Sequence, residues 1–342
     1  MALVTPSANT YTAFGLAISS DLSLPELGVD LNPESVVDQV SITSSNREDW
    51  PELNPSEHST PTVQMTPNDW RLELEGIGWF RVHQGRSIYW QRWDDSVSDR
   101  DLRTFLVGSA IGALMIQRGS LMLHATALVR DGKAVLLLGA PASGKSTLAW
   151  CLHQQGWQLL SSELTLIDPQ GMVWPGMQQL KLWHAAAMEL DLDWKQMPVV
   201  RKGLQRFSLM PTDLSTCNQP APLAVIYGIT RRDKEGDKDE EEEGSRILAW
   251  PVLRQQAALL QLRNQAFQPR FYRGMEQEQQ LFLHAAALVR SVGLHRLQLP
   301  DDVKRMQIAL KYANLLDPIS LAPKQSEPES ESLSKTESKA EK

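Results

Sequence analysis

Apolar runs of strand length recur in the later part of the chain. Residues 121–129 and 133–138 are two such runs, and Arg130-Asp131-Gly132 between them predicts a β-hairpin. Residues 223–230 and 294–299 are also mostly apolar, which is typical of strands buried on both faces. The pattern predicts a central sheet in this part of the protein.

Other apolar positions in the same part recur with helical spacing. Residues 98–118 carry apolar side chains three or four positions apart and end at Arg118-Gly119, a common helix terminus. Further helices are predicted at residues 251–263, 276–292 and 301–315. Because the predicted strands alternate with these helices, we expect an α/β fold.

Short β-like stretches dominate the chain before this region. They are predicted at residues 11–18, 36–42, 70–74, 79–83 and 87–93. The last two form a hairpin around Gln84-Gly85-Arg86, and residues 46–61 predict a long loop because Ser, Pro, Glu and Asn are frequent there. We therefore expect a β-rich N-terminal module over residues 1–97, a second domain over residues 98–317 and a disordered polar tail over residues 318–342.

A candidate phosphate-binding loop follows the strand predicted at residues 133–138. It fits the GxxxxGK[ST] (Walker A, or P-loop) pattern with Gly139, Ala140, Pro141, Ala142, Ser143, Gly144, Lys145, Ser146 and the adjoining Thr147. Glycine lets the backbone turn so that successive N–H groups converge on phosphate oxygens. The alternative is an ordinary glycine turn, but the strand before the loop and the helical pattern after it favour phosphate binding.

Three features of this loop predict a nucleoside triphosphate bound together with Mg²⁺. Lys145 places a positive charge beside the outer phosphates, and the Ser146 hydroxyl is small enough to enter the Mg²⁺ coordination shell. The helix predicted after the loop directs its positive N-terminal end at the same anion. The expected cofactors are ATP and Mg²⁺.

Composition and charge limit the partners of this chain. A net charge of −7 argues against general nucleic-acid binding, which requires a basic surface. No stretch reaches about 18 consecutive apolar residues, and the N-terminus lacks the regions of a secretion signal, so no membrane association is expected. Cys151 and Cys217, the two cysteines, cannot build a disulfide framework or a cysteine-based zinc site, and we expect a cytoplasmic protein.

Several segments resemble one known family. They are residues 123–128, the hairpin that follows, the loop at 139–147 and residues 156–163. These segments are similar to the C-terminal catalytic domain of HPr kinase/phosphorylase and its stand-alone relatives, and the similarity covers roughly residues 100–312. Residues 11–27 also resemble the start of HPr-kinase-related proteins that lack the full bacterial N-terminal domain. The resemblance implies a P-loop kinase core of the HPr-kinase type over residues 98–317, with a smaller β-rich N-terminal module.

The resemblance also implies an activity, which is transfer of the γ-phosphoryl group of ATP to a hydroxyl of a peptide, protein or small molecule. Lys145 would hold the phosphates, and Ser146 and Glu163 would hold Mg²⁺. The family carries two adjacent aspartates, a base and a metal partner, where this chain has Ser162 and Glu163. Glu163 is then a candidate base, and His124 matches a family histidine suited to proton handling near the γ-phosphate.

The serine at position 162 leaves other classes of function open. Because serine cannot accept a proton at neutral pH as a carboxylate can, the chain could be a catalytically weakened or inactive nucleotide-binding regulatory protein. A simple P-loop ATPase is a third alternative. His124 could instead be a hydrogen-bonded core residue, and Glu163 a surface residue on a strand.

The resemblance says less about the acceptor. Lys181, Arg201, Lys202 and Arg206 lie where related kinases contact phosphate or acceptor, with solvated or structural roles as the alternative. Residues 183–222 contain no counterpart of the glycine-rich signature for HPr binding, so we expect a different hydroxyl-bearing acceptor. Family members often assemble, which implies a homo-oligomer as one possible state.

Overall fold

The structure, a computed structural model, describes most of the chain. The described residues are 9–27, 38–201, 203–231, 247–251, 255–300 and 302–321. Lys202, residues 233–243, which are mostly Asp and Glu, and most of the predicted polar tail lie outside them. The described chain has an α/β fold with several sheets and helices. Within these ranges, no helix has the length and apolar character needed to cross a membrane.

The first sheet is formed by the N-terminal part of the chain. Its strands are β1 (Asn9–Ala13), β2 (Leu16–Ser20), β3 (Gln39–Ser44), β4 (Val63–Met65), β5 (Asp69–Leu74), β6 (Gly78–His83) and β7 (Ser87–Arg92). They lie in the order β1-β2-β3-β7-β6-β5-β4. The β6–β7 hairpin confirms the hairpin predicted for residues 79–83 and 87–93. The prediction of a single strand over residues 11–18 is wrong. Phe14 and Gly15 have φ values of 55° and 72°, and they turn the chain into a β1–β2 hairpin.

The predicted helix over residues 98–118 is confirmed as one helical segment with an irregular centre. It consists of α1 (Asp99–Phe105), a π-helical turn (Leu106–Ala110) and α2 (Ile111–Gln117). The side chain of Ser98 caps the start of α1 by accepting a hydrogen bond from the Asp101 N–H. The sequence pattern does not predict the π-helical turn, a feature that is frequent at functional sites.

The second sheet is built mainly from the strands around the phosphate-binding loop. The later strands of the chain are β8 (Leu121–Leu123), β9 (Ala125–Arg130), β10 (Lys133–Leu138), β11 (Gln158–Ser161), β12 (Thr165–Ile167), β13 (Met172–Val173), β14 (Leu180–Trp183), β15 (Arg206–Leu209), β16 (Ala221–Arg231), β17 (Leu248–Pro251) and β18 (Leu294–Leu299). β14 and β15 pair with each other, and the remaining strands form the second sheet. In it, β10 pairs antiparallel with β9 and parallel with β16, which continues parallel to β18.

A break at His124 corrects another strand prediction. The prediction of one strand over residues 121–129 is wrong. The backbone bends at His124, and the segments before and after it pair with different strands. β8 pairs with β12, whereas β9 pairs with β10 and β11. The predicted hairpin between β9 and β10 is confirmed, with Asp131 and Gly132 at φ values of 52° and 70° in its turn.

The later helices contact the strands and one another, and α4 packs on the β14–β15 pair. They are α3 (Lys145–His153), α4 (His184–Glu189), α5 (Gln255–Asn264), α6 (Pro269–Gly274), α7 (Glu278–Ser291) and α8 (Val303–Leu310). Short 3-10 turns occur at Arg47–Asp49, Pro211–Asp213 and Pro318–Leu321. α7 confirms the helix predicted at 276–292, whereas α8 ends five residues before the predicted end at residue 315.

Strand β10 is buried on both faces, as a continuous apolar run predicts. Leu136 belongs to a hydrophobic cluster that also contains Trp70 of the first sheet. Leu137 belongs to a second cluster on the other face. Trp70 meets Phe271 of α6 edge-on, with ring centroids 5.3 Å apart. The first cluster therefore joins the first sheet to the helices, and the division after residue 97 stays a prediction.

Candidate functional site

The candidate phosphate loop connects the end of β10 to the start of α3. Ala142 has a φ of 63° and Gly144 a φ of 99°, both in the left-handed region. A Cβ atom at Gly139 would lie 2.5 Å from the Ser143 hydroxyl oxygen, so only glycine fits this loop without displacement. α3 begins at Lys145, and the N–H groups of its first turn have no partners within the helix. The loop and helix start thus offer a site for phosphate oxygens.

The Lys145 side chain folds back over this loop. Its Nζ donates hydrogen bonds to the carbonyl oxygens of Gly139, at 2.6 Å, and Ala140, at 3.0 Å. Burial lowers the pKa of Lys145, an effect that the Glu163 charge opposes and the Arg206 charge reinforces. The lysine cation therefore lies beside the helix start and within electrostatic range of Glu163.

The bend that interrupts the strand at His124 points its ring toward the same region. The backbone N–H of His124 donates a hydrogen bond to the Gln265 carbonyl at 2.7 Å. Its ring atom Nδ1 lies 2.9 Å from the Glu163 carbonyl oxygen. Because a carbonyl only accepts, Nδ1 carries the hydrogen, and a neutral ring keeps Nε2 free to accept a proton. Burial lowers the pKa of His124, and the charge of Lys145 adds to this effect, so the neutral ring is favoured.

Glu163 is held by two cations. Its Oε2 accepts a hydrogen bond from Lys181 Nζ at 2.5 Å, and its Oε1 accepts one from Arg206 Nη2 at 2.7 Å. Burial acts to raise the pKa of Glu163, but the charges of Lys181 and Arg206 outweigh it and the pKa is lowered. The carboxylate is therefore ionised and a weaker base than an ordinary glutamate. Glu163 also has a φ of 62°, an uncommon backbone conformation for a residue with a side chain.

Ser162 points into the protein interior. The residue is 2% exposed, and its hydroxyl donates a hydrogen bond to the Gln179 carbonyl oxygen. Its backbone N–H donates to the Met177 carbonyl at 2.8 Å. The hydroxyl therefore joins two chain segments beneath the site, and it is not among the groups that face the adjacent cavity.

This cavity has a volume of about 410 Å³ and lies beside His124 and Glu163, the two candidate bases. His124, Glu163, Lys181 and Arg206 contribute to its wall, and the π-helical turn contributes Gly108 and Ser109. Lys145 does not line it, but the lysine charge acts on both His124 and Glu163. The phosphate loop and the cavity wall therefore lie within electrostatic range of each other.

The structure separates the predicted site residues into groups. His124 and Glu163 line the same cavity, and Lys145 lies within electrostatic range of both. Within the loop, Ala140, Pro141 and Ala142 are exposed and Ser146 is half-buried, whereas Thr147 is buried. Ser146 and Glu163 stay the predicted Mg²⁺ ligands. Among all the described residues, this site included, no three His, Cys, Asp or Glu side chains cluster closely enough to hold a metal ion.

The sequence does not reveal the two ion pairs of Glu163. Lys181 and Arg206 appear as general cationic candidates, but they lie 18 and 43 residues from their partner along the chain. Their positions on the paired strands β14 and β15 bring them together. Gly108 and Ser109 also lie outside the predicted site, although two adjacent small residues inside an apolar helix are a visible signal.

No protein-family model matches this chain, and no curated protein is significantly similar to it in sequence. Among solved structures, the Hpr(Ser) kinase/phosphatase from Coxiella burnetii is similar, with 11% sequence identity and a TM-score of 0.27. The similarity covers 56% of this chain and 94% of that chain. What the candidate site can do follows from its own residues.

Proposed function

We propose that this protein is an ATP-dependent, HPr-kinase-like phosphotransferase that phosphorylates a hydroxyl group. The observation that carries the proposal is that His124 and Glu163 line one cavity and lie within electrostatic range of Lys145 on the candidate phosphate loop. A phosphate site next to a proton acceptor and a space for a second substrate is what phosphoryl transfer requires. The sequence resemblance to HPr-kinase-related proteins supports the same activity.

The residues have separate tasks in this proposal. The loop backbone and Lys145 bind the phosphates, and Ser146 with Glu163 holds Mg²⁺. Bound MgATP supplies the γ-phosphoryl group and a divalent charge that offsets negative charge on the phosphates. Lys181 and Arg206 keep Glu163 ionised and in place.

We assign the proton transfer to His124 in preference to Glu163. Its neutral ring and free Nε2 suit a base near neutral pH, whereas both oxygens of Glu163 already accept hydrogen bonds from cations. The acceptor oxygen forms a bond to the γ-phosphorus while the bond between that phosphorus and the β–γ bridging oxygen breaks. ADP leaves with the bonding electrons, and the hydroxyl proton passes to Nε2.

The test is transfer of radiolabelled γ-phosphate from MgATP to a mixture of hydroxyl-bearing small molecules and peptides. The unmodified protein is expected to transfer label, Lys145→Met to lose transfer, and His124→Asn to lose at least about a hundredfold in rate. Asn at this position keeps a donor for the Glu163 carbonyl but removes the base. Melting temperatures of the variants provide the control for folding. Equal transfer by Lys145→Met and the unmodified protein would contradict the proposal.

A second candidate function is a nucleotide-binding regulatory protein without transfer activity. Two observations favour it, namely the interior hydrogen bond of Ser162 and the double ion pair of Glu163. Neither side chain is then a free base where the resembled family carries aspartates. This candidate predicts MgATP binding with neither transfer nor hydrolysis, and His124→Asn would change no rate.

Cellular location and assembly belong to the same proposal. A kinase that uses ATP and Mg²⁺ fits the cytoplasm expected from the sequence. We propose no partner beyond the nucleotide and a hydroxyl-bearing acceptor, with a homo-oligomer as the assembly that the family resemblance implies. Sedimentation of the purified chain measures that state directly.

A further inference from the structure

The cavity beside His124 has an apolar wall and a cationic rim. Its apolar lining comes from Phe105, Leu164, Met177, Leu204 and Phe267. A volume of about 410 Å³ lies within the range of pockets that enclose small molecules. The wall therefore suits a compact ligand with an apolar body.

The charges on the rim do not balance. Among the described lining residues, Lys181, Arg201 and Arg206 carry positive charge, and Glu163 is the single carboxylate. Glu163 pairs with Lys181 and Arg206, so its charge is already compensated. The Arg201 guanidinium has no ion pair or side-chain hydrogen bond with any residue in the described part of the chain. One cation is thus left for a ligand.

Backbone hydrogen bonds of a turn fix the main chain of Arg201 at the rim, and its side chain is exposed. Val200 N–H donates to the Arg206 carbonyl at 2.9 Å, and Leu204 N–H donates to the Arg201 carbonyl at 3.1 Å. The turn links the chain to β15, which carries Arg206 at its start. An arginine guanidinium at the edge of the cavity can bind a carboxylate through two parallel hydrogen bonds.

We propose that this cavity is the acceptor site and that the acceptor is a small hydroxy acid with an apolar body. Its carboxylate binds Arg201, its body lies against Phe105 and Phe267, and its hydroxyl approaches His124. This inference rests on the kinase activity proposed above. Among the described lining residues, Arg201 is the one unpaired cation, and one positive charge matches a carboxylate better than a phosphate.

The atoms balance as in the general reaction. The hydroxyl oxygen of the acid bonds to the γ-phosphorus, the bond from that phosphorus to the β–γ bridging oxygen breaks, and ADP departs. The proton moves to Nε2 of His124. The carboxylate on Arg201 takes no part in bond formation and fixes only the orientation of the acid.

Gly108 provides a way to close the cavity without disturbing the nucleotide loop. It lies in the π-helical turn, and a Cβ atom built on it would have no other atom within 4 Å. Its backbone is outside the left-handed region, so a larger side chain is tolerated there. A leucine at this position would occupy space that the apolar body of the acceptor needs.

The test is direct binding of phenyllactate and hydroxyphenylacetate, measured by ligand-observed NMR with the full chain. We expect dissociation constants tighter than about 1 mM, at least tenfold weaker binding to Arg201→Gln, and loss of binding to Gly108→Leu. The methyl esters should bind the unmodified protein about as weakly as the acids bind Arg201→Gln. Arg290→Gln, a substitution of an exposed arginine on α7, is the matched control and should bind like the unmodified protein.

MgATP titration of the same variants separates this inference from the kinase proposal. Arg201→Gln and Gly108→Leu should keep MgATP affinity within about twofold and should melt near the unmodified protein. Failure of both acids to bind, equal binding of acids and esters, or unchanged binding to both variants would overturn the acceptor site. Tighter binding of phenyl phosphate than of either acid would overturn the assignment of a carboxylate. Binding of the acids without any phosphoryl transfer would instead contradict the kinase proposal and leave the site standing.

Discussion

Replacing Glu163 by glutamine tests whether this residue is the counter-ion that organises the site. Its carboxylate is 21% exposed, and its partners Lys181 and Arg206 are 8% and 27% exposed. Glutamine keeps one acceptor oxygen and nearly the same shape but has no charge. The substitution therefore leaves the buried Lys181 cation without an ionised partner.

The size of the effect follows from this burial. Breaking a fully buried pair costs about 3–5 kcal/mol, and a charge-assisted hydrogen bond contributes about 1.5–3 kcal/mol. Glu163 and Arg206 retain some solvent contact, and the glutamine oxygen saves one hydrogen bond. We therefore expect Glu163→Gln to lower the free energy of unfolding by about 2 kcal/mol at neutral pH.

The assay is urea denaturation of single and double variants. Adding Lys181→Met removes the stranded cation, so the cost of Glu163→Gln should fall to about 1 kcal/mol in that background. Glu278→Gln is the matched control, because the Glu278–Arg273 pair is 53% and 52% exposed and should contribute less than about 1 kcal/mol. The counter-ion role would be refuted if Glu163→Gln cost no more than the control, or if the two site substitutions were additive.

The ion pairs of Glu163 with Lys181 and Arg206 also predict how stability changes with pH. The pKa of Glu163 is lowered from its ordinary value of 4.5 because Lys181 and Arg206 favour the ionised form. A lowered carboxyl pKa contributes stability that is present above pH 4.5 and lost as pH falls through the folded-state value. The difference in unfolding free energy between the unmodified protein and Glu163→Gln should therefore shrink in that acidic range and be largest near neutral pH.

Three further predictions concern other parts of the site. Burial and the charge of Lys145 lower the pKa of His124 below 6.5, so kcat/KM for transfer should stay level down to that pH and fall only below it. A fall in kcat/KM that begins above pH 6.5 would contradict the assignment of His124 as the base. Ser162→Asp should cost about 3 kcal/mol or more in urea denaturation, since it buries a carboxylate against a carbonyl, whereas Ser162→Ala should cost about 1 kcal/mol. Equal costs would refute that placement. Gly139→Ala should weaken MgATP binding by titration because its Cβ meets the Ser143 hydroxyl, and unchanged affinity would show that the loop yields easily.

The strands and the loop could be predicted where a local pattern decides them. Strand β10 and the Asp131-Gly132 turn before it depend on residues that are adjacent in the chain. Both could therefore be predicted from the sequence. Phe14-Gly15 contains the signal for the turn that splits the first strand, but an apolar stretch of strand length conceals it. His124 breaks a strand because the two halves find different partners, which local periodicity does not reveal.

The chemistry of the site depends on contacts between distant residues. The motif identifies Lys145 and the family resemblance identifies Glu163, but the hydrogen bonds of Glu163 come from two strands much later in the chain. The tautomer of His124 depends on a carbonyl 39 residues away. Such contacts set the pKa values and therefore decide which residue can act as a base. The sequence contains the candidate residues, and the tertiary arrangement separates their roles.

Calorimetric titration with MgATP tests the central claim most directly, because every proposed step begins with phosphates on the Lys145 loop. The unmodified protein should bind MgATP, and Lys145→Met should bind at least about tenfold more weakly. His124→Asn should bind as the unmodified protein does, since its proposed role is confined to the transfer step. Absence of MgATP binding by the unmodified protein, or equal affinity for Lys145→Met, would contradict the account.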